Sequence, residues 1–324
     1  MPLLSLPEAL ALLRCPLCGS ALAADGVRCA NPACAHAGEP YRSVEGQPVL
    51  IDAGTSIVDP AAVRWTEPKP RGAAARALGI FDRPNAVADR LGRRLVADLR
   101  ARVERPLVLV IGGGTIGSGL DALYAAPEAD LLAFDIFPTR FTQFVADAHR
   151  IPLLDGAVDG VVVQAVLEHV LDPWRVAAEI HRVLRSEGLV YADTPFLQPV
   201  HEGPYDFTRF TESGHRWLFR DFALIESGVV AGPGAQFASS LAQAARSVVP
   251  LRGVGPVVRF AFTPLGQLVD RIAAPRAAVD GASAVYFYGR RSDEPLAPRE
   301  MIAHYRGAQR IPARRPAPGD TPRG

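Results

Sequence analysis

Residues Leu107-Val108-Leu109-Val110-Ile111 form a wholly apolar run that ends in Gly112-Gly113-Gly114-Thr115-Ile116-Gly117. An uninterrupted apolar run of this length fits a strand buried on both faces. Glycines directly after it let the backbone turn tightly and approach a ligand closely at the strand's carboxyl end. The pattern then repeats. Asp130 to Phe134 is a second apolar strand ending at Asp135, Gly160 to Gln164 a third and Leu189 to Asp193 a fourth. Helices are expected near 119–126, 138–146 and 173–185, the last closed by Gly188. Upstream, Val87, Leu91, Leu95, Val96, Leu99 and Val103 keep helical spacing over an Arg-rich face. Phe222–Glu226 and Ser283–Gly289 read as a final pair of strands. Short apolar strands alternating with amphipathic helices predict an α/β, Rossmann-like, doubly wound and mostly parallel sheet.

The glycine turn by itself leaves two readings open. With Asp135 downstream to accept from ribose hydroxyls, Gly112, Gly114 and Gly117 suit a dinucleotide fingerprint and an S-adenosylmethionine site equally.

A different module precedes the strands. All four cysteines fall within twenty positions, as Cys15-Pro16-Leu17-Cys18, Cys29 and Cys34. Two short loops that each carry a Cys pair supply the four soft ligands of a tetrahedral zinc. His36 is a spare donor that could replace Cys34. Met1-Pro2-Leu3-Leu4 lacks a basic start and a cleavage site, which argues against disulfides and for a cytoplasmic protein. Four thiolates leave no open position on the metal, so the expected role is structural.

Leu13 to Gly19, the second Cys pair, and Tyr41-Arg42-Ser43-Val44-Glu45-Gly46-Gln47-Pro48-Val49-Leu50 resemble the small zinc-ribbon family that partners and activates RNA and protein methyltransferases. The likeness spans about residues 8–52. Asp147-Ala148-His149-Arg150-Ile151-Pro152-Leu153, followed by Val158 to Pro173 with its Leu167-Glu168-His169-Val170, resembles class I S-adenosylmethionine-dependent methyltransferases, the branch acting largely on small molecules. This second likeness covers about 105–230 and returns at 282–290. It implies a seven-stranded sheet and S-adenosylmethionine as cofactor. It implies that Asp147 hydrogen-bonds the adenine amino group, with Asp135, Ile136 and Ala148 along the adenosine and Gln164 to Val166 along the methionine. One departure is plain: Val110 stands where that family usually has an acid for the cofactor's amino group. His201 to Thr211 resembles the His-x-x-Pro-x-Asp-aromatic-x-Arg-aromatic-Thr segment of a bacterial subgroup of these enzymes. There His201 is the expected general base oriented by Asp206, His169 caps the pocket, and Tyr205 and Arg209 face the acceptor. An Asp206–Arg209 ion pair tying down the loop is the competing expectation.

These readings divide the chain into a zinc ribbon (1–54), a linker (55–83), a methyltransferase domain (84–290) with a helical insertion at 231–280, and a disordered tail (291–324). The expected reaction is methyl transfer to an oxygen or nitrogen of a small molecule or a glycan- or lipid-linked precursor. An NAD-dependent oxidoreductase and a non-catalytic scaffold docking a partner are the alternatives. A net charge of +1 draws no nucleic acid, and no apolar run reaches membrane-span length. The insertion mixes Arg246, Arg252, Arg259, Arg271 and Arg276 with apolar stretches, as suits a lid, a homodimer face or a helix on the inner membrane surface.

Overall fold

The computed structural model describes residues 1–68, 85–249, 251 and 253–309. Among these residues nine strands make one sheet in the order β1-β2-β5-β4-β3-β6-β7-β9-β8. They are β1 Ser43–Val44, β2 Gln47–Leu50, β3 Leu107–Ile111, β4 Asp130–Asp135, β5 Phe144–Ala146, β6 Val158–Gln164, β7 Leu184–Pro195, β8 Phe222–Ala231 and β9 Ala284–Arg291. From β2 to β7 every neighbouring pair is parallel, and β9 runs antiparallel between β7 and β8. The sheet thus has nine strands where seven were expected. The extra two come from the ribbon: β2 leaves the β1–β2 hairpin and pairs in parallel with β5, Val49 opposite Val145 and Leu50 opposite Ala146.

The two-residue period of β3 shows how the layers are held. Val108 and Val110 face one way, against Leu91, Leu95, Val96 and Leu99 of α3 (Ala86–Arg100). Leu109 and Ile111 face the other, toward Val176, Ile180 and Val183 of α5 (Pro173–Val183). Val110 is therefore an apolar core residue with no route to a ligand's charge. The ribbon shares this second core: Leu13, Cys15, Tyr41 and Leu50 belong to one buried cluster with Leu132, Phe134 and Ile151. Backbone bonds reinforce the join, with Arg14 N donating to Pro152 O at 2.9 Å and Leu4 N to Leu131 O at 2.9 Å.

Several local expectations change. Residues 138–146 are not a helix. Pro138 opens a turn in which Thr139 N donates to Thr142 Oγ1 at 2.9 Å, and Phe144 to Ala146 then pair as β5. The helix at 173 ends at Val183, and Leu184 already begins β7. The segment after β9 is ordered through residue 309. It includes α10 (Glu300–His304), whose His304 Nε2 lies 2.9 Å from Glu212 in α6 (Glu212–Leu218). Residues 310–324 and 69–84 lie outside the described residues. The remaining helices are α1 (Leu6–Leu12), α2 (Ala35–Gly38) and α4 (Asp121–Ala125), with α7 (Pro233–Val248), α8 (Val254–Ile272) and α9 (Pro275–Asp280) between β8 and β9. Helices α7 and α8 touch where Gly234 meets Gly266, and Asp270 caps α7 through Gly234 N at 2.7 Å. Val257, Leu265, Leu268 and Ile272 remain exposed on α8. No helix among the described residues is long and apolar enough to cross a membrane.

Candidate active site and cysteine cluster

The carboxyl ends of β3, β4, β6 and β7 lie side by side, the edge at which open α/β sheets bind ligands. Gly112 makes the turn after β3 at φ 75°. Asp135 ends β4 and points back at that turn. Its carboxylate accepts from Gly114 N at 2.9 Å and from Ile136 N at 2.7 Å. A Cβ on residue 114 would sit 2.7 Å from Asp135 Oδ2, so only glycine permits this contact. Burial pushes the Asp135 carboxyl up to about 6. Beside it, Ile136 is 46% exposed, free to cover a flat ligand.

Across the turn lies a second polar group. Gln164, ending β6, donates through Nε2 to Asp193 Oδ2 at 2.9 Å and to Ser118 O at 3.2 Å. Its Oε1 is buried close against Gly117, without a hydrogen-bond partner among the described residues. Asp193 also accepts from Tyr191 and from Asn85, the residue that caps α3. Burial lifts Asp193, too, to about 6. An orphaned buried acceptor next to a buried carboxyl suits a cationic donor. Ala165, next in the chain, holds a left-handed φ of 52°, the kind of strained backbone that gathers at functional sites. Asp193 and Asn85 were not among the expected site residues. Asp193's place at the end of a predicted strand was the available signal, whereas Asn85 offered none.

Asp147 is on the same edge with Ala148 buried beside it. Its carboxylate is already engaged. Oδ1 accepts from His149 N at 2.9 Å and lies 2.5 Å from His149 Nδ1, and Oδ2 accepts from Ser56 Oγ. Although burial opposes ionisation, these donors hold the Asp147 carboxyl below its ordinary value. Ser56 follows closely on β2, so the segment after that strand reaches the sheet edge at Asp147.

The loops after β6 and β7 carry the remaining polar residues. Glu168 is fully buried, and its carbonyl accepts from Phe207 N at 2.7 Å, which ties the two loops together. His169 Nδ1 lies 2.7 Å from Tyr205 O, and the rings of His169 and His201 meet edge to face at 4.9 Å. Asp206 accepts from His201 N at 2.9 Å and lies 3.6 Å from His201 Nδ1. Arg209 is not a free anion clamp. Its guanidinium pairs with Asp206 and donates to Gln198 O at 2.9 Å, so the loop-tying ion pair is what forms. Tyr205 is 55% exposed and available to a ligand.

In the ribbon the four Cys sulfurs all lie within 4.8 Å of one another. Cys15 and Cys34 are 3.8 Å apart, Cys18 and Cys29 3.4 Å. Metal–sulfur bonds of about 2.3 Å put tetrahedral ligand sulfurs about 3.8 Å apart, so this donor set fits zinc, and no pair is at disulfide length. The Tyr41 hydroxyl sits 3.2 Å from Cys15 Sγ. His36 is not a ligand. It stacks on Tyr41 at 3.8 Å with Nδ1 turned to Glu39 O.

Residues 111–192 match the family model described as a methyltransferase domain. The chain carries an S-adenosylmethionine-dependent methyltransferase domain. That match runs from the last residue of β3, Ile111, into β7, and so contains the glycine turn and the whole of β4, β5 and β6. No curated protein matches the chain. Among solved structures it is similar to a candidate sarcosine dimethylglycine methyltransferase from Galdieria sulphuraria, at 15% identity over 64% of this chain and 86% of that one, TM-score 0.43. It is similar to a chain in the complex between the Haloferax volcanii Trm112 methyltransferase activator and a candidate methyltransferase (21%, 68% and 96%, TM-score 0.40). It is also similar to the [4+2]-cyclase SpnF (19%, 64% and 81%, TM-score 0.35).

Proposed function

We propose that the chain moves a methyl group from S-adenosylmethionine to an oxygen or nitrogen of a small molecule or of a glycan- or lipid-linked precursor. The observation that carries this is the acceptor set facing the glycine turn: the lone pairs that Gly114 and Ile136 leave on the Asp135 carboxylate, suited to a ribose diol, and the orphaned Gln164 Oε1 beside Asp193, suited to an ammonium. When bound, the cofactor supplies a methyl group on a sulfonium. Ile136 and Ala148 flank its adenosine in this reading, and Asp147 meets the adenine amino group with the lone pairs left by Ser56 and His149. Methyl transfer needs chiefly alignment and exclusion of water, which the walls of a half-buried site supply. His201, Asp206 and His169, with Tyr205 at the rim, line the acceptor side. His201 takes the acceptor's proton where one must leave. Glu168 beside it holds its pKa above the ordinary histidine value. Arg209 acts by fixing Asp206. The four cysteines hold one zinc that closes the ribbon.

Calorimetry with S-adenosylhomocysteine and with NADH tests the reading. Binding of the first and not the second is expected. NADH binding without S-adenosylhomocysteine binding would overturn it. A screen of hydroxyl- and amine-bearing acceptors for S-adenosylhomocysteine release then identifies the acceptor atom.

A further inference from the structure

We propose that Glu168, His169 and His201 form a binding site for a divalent first-row transition-metal ion, separate from the cysteine cluster. One ligand atom from each residue lies within 4.8 Å of the other two. Nε2 of His169 and Nε2 of His201 each stand 3.6 Å from the same oxygen, Glu168 Oε1.

That arrangement lacks something positive at its centre. Among the described residues, neither buried Glu168 carboxylate oxygen has a hydrogen-bond partner, and the residue is 0% exposed. An unpaired buried carboxylate is costly, and buried charges are normally paired or bound to metal. His169 fixes the sign of the argument. The partner 2.7 Å from its Nδ1 is a carbonyl oxygen, that of Tyr205, which can only accept, so Nδ1 carries the proton. In the neutral ring the Nε2 lone pair then faces the carboxylate, lone pair against lone pair. A proton on either Nε2 would still be 3.6 Å from Glu168, too long for a hydrogen bond. One cation placed among the three atoms answers all of them at once.

The surroundings have the form of a metal site. A ligating histidine usually directs its other nitrogen to a carbonyl or a carboxylate. His169 has the Tyr205 carbonyl. The match at His201 is looser: its Nδ1 lies 3.6 Å from the Asp206 carboxylate, beyond hydrogen-bond length, and 3.4 Å from the donor Arg209 Nη2. Two imidazoles and one carboxylate favour zinc, iron, cobalt or manganese over magnesium or calcium. Three protein ligands leave coordination positions open, the mark of a site that also takes a substrate. The loops that carry the ligands also expose Leu171, Leu197, Val200, Tyr205 and Phe207. The open positions therefore suit an apolar or aromatic acceptor that presents an oxygen donor to the ion. This last assignment rests on the methyl-transfer reading; the metal site does not. With the ion in place His201 is a ligand, and the ion takes over the task of lowering the acceptor's pKa.

The test uses full-length protein with the ribbon zinc-loaded and no cofactor present. Zn2+ and Co2+ are titrated, metal per chain is counted, and the cobalt spectrum is recorded. A second equivalent is expected, with a cobalt spectrum free of thiolate charge-transfer bands. Glu168→Gln and His201→Asn should weaken that second equivalent by at least about 10–100-fold and leave the first. A wild-type protein that takes up one equivalent only overturns the site, and that result does not depend on the folding of any variant. So do variants that fold and bind the second ion as tightly as wild type. S-adenosylhomocysteine binding on the same samples separates the two ideas. Retained binding without a second metal overturns this site alone, whereas a second metal without such binding overturns the methyl-transfer reading alone.

Discussion

Gln47 is the side chain that locks the ribbon strand to the sheet, and replacing it with methionine tests that join. The residue sits at the start of β2 with its amide buried. Nε2 donates to Thr139 O at 2.7 Å, and Oε1 accepts from Thr142 Oγ1 at 2.7 Å. Methionine keeps the length and most of the volume and removes both bonds. Leaving two buried polar groups unpaired would cost about 1–3 kcal/mol each. The structure lowers that sum, because Thr142 Oγ1 also lies 3.1 Å from Thr139 O and can turn its proton there. One rescued bond satisfies both orphans in part, so the expected loss is roughly 1–3 kcal/mol in total. Urea unfolding followed by intrinsic fluorescence and by zinc release to a chelating dye gives the number. Because Leu50 and Leu13 share a buried cluster with Phe134 and Leu132, both signals should move to lower urea together. A shift below about 0.5 kcal/mol, the size of an ordinary surface change, would refute the reasoning. Zinc release moving while fluorescence stays put would show that the ribbon unfolds alone.

Asp135→Ala should weaken S-adenosylhomocysteine binding by about 1.5–3 kcal/mol, or about 10–150-fold by calorimetry. Since Asp135 in the free protein titrates near 6, wild-type affinity should fall as pH drops below that value and stay flat above it; an unchanged pH profile in the alanine variant would count against its role. His215 is buried, with its pKa pushed down to about 3 by burial. The folded state therefore binds fewer protons there than the unfolded chain, and stability drains away as pH falls from about 6.5 toward 3, by roughly 1.4 kcal/mol per unit. His215→Leu should flatten that part of the pH–stability curve, and a slope equal to wild type would contradict it. Cys18→Ser, or zinc removal by a chelator, should lower the melting temperature of the whole protein as well as that of the ribbon, because the ribbon supplies two of the sheet's strands; an unchanged melt after metal analysis confirms removal would exclude that coupling.

Local chemistry alone determined the elements with a clean period. The buried run 107–111 and the stripe from Val87 to Leu99 both form where their residues predict. The gathering of the four cysteines and the glycine turn were equally legible, because both rest on particular residue types at short spacing. Residues 138–146 went the other way. Their fold depends on a strand about a hundred positions upstream that supplies Gln47 and the neighbour opposite Val145, and no local window contains that information. The same limit hid the joining of β1 and β2 to the sheet, the engagement of Asp147 by Ser56, and the fate of Arg209. Glu168 shows the difference most plainly. It lay inside a recognised motif, yet its meaning comes from His201, thirty-three residues on, which only the packing of two loops at one sheet edge brings to 3.6 Å. Backbone preferences act over a few residues, whereas burial, pairing and ligation are settled between segments distant in the chain.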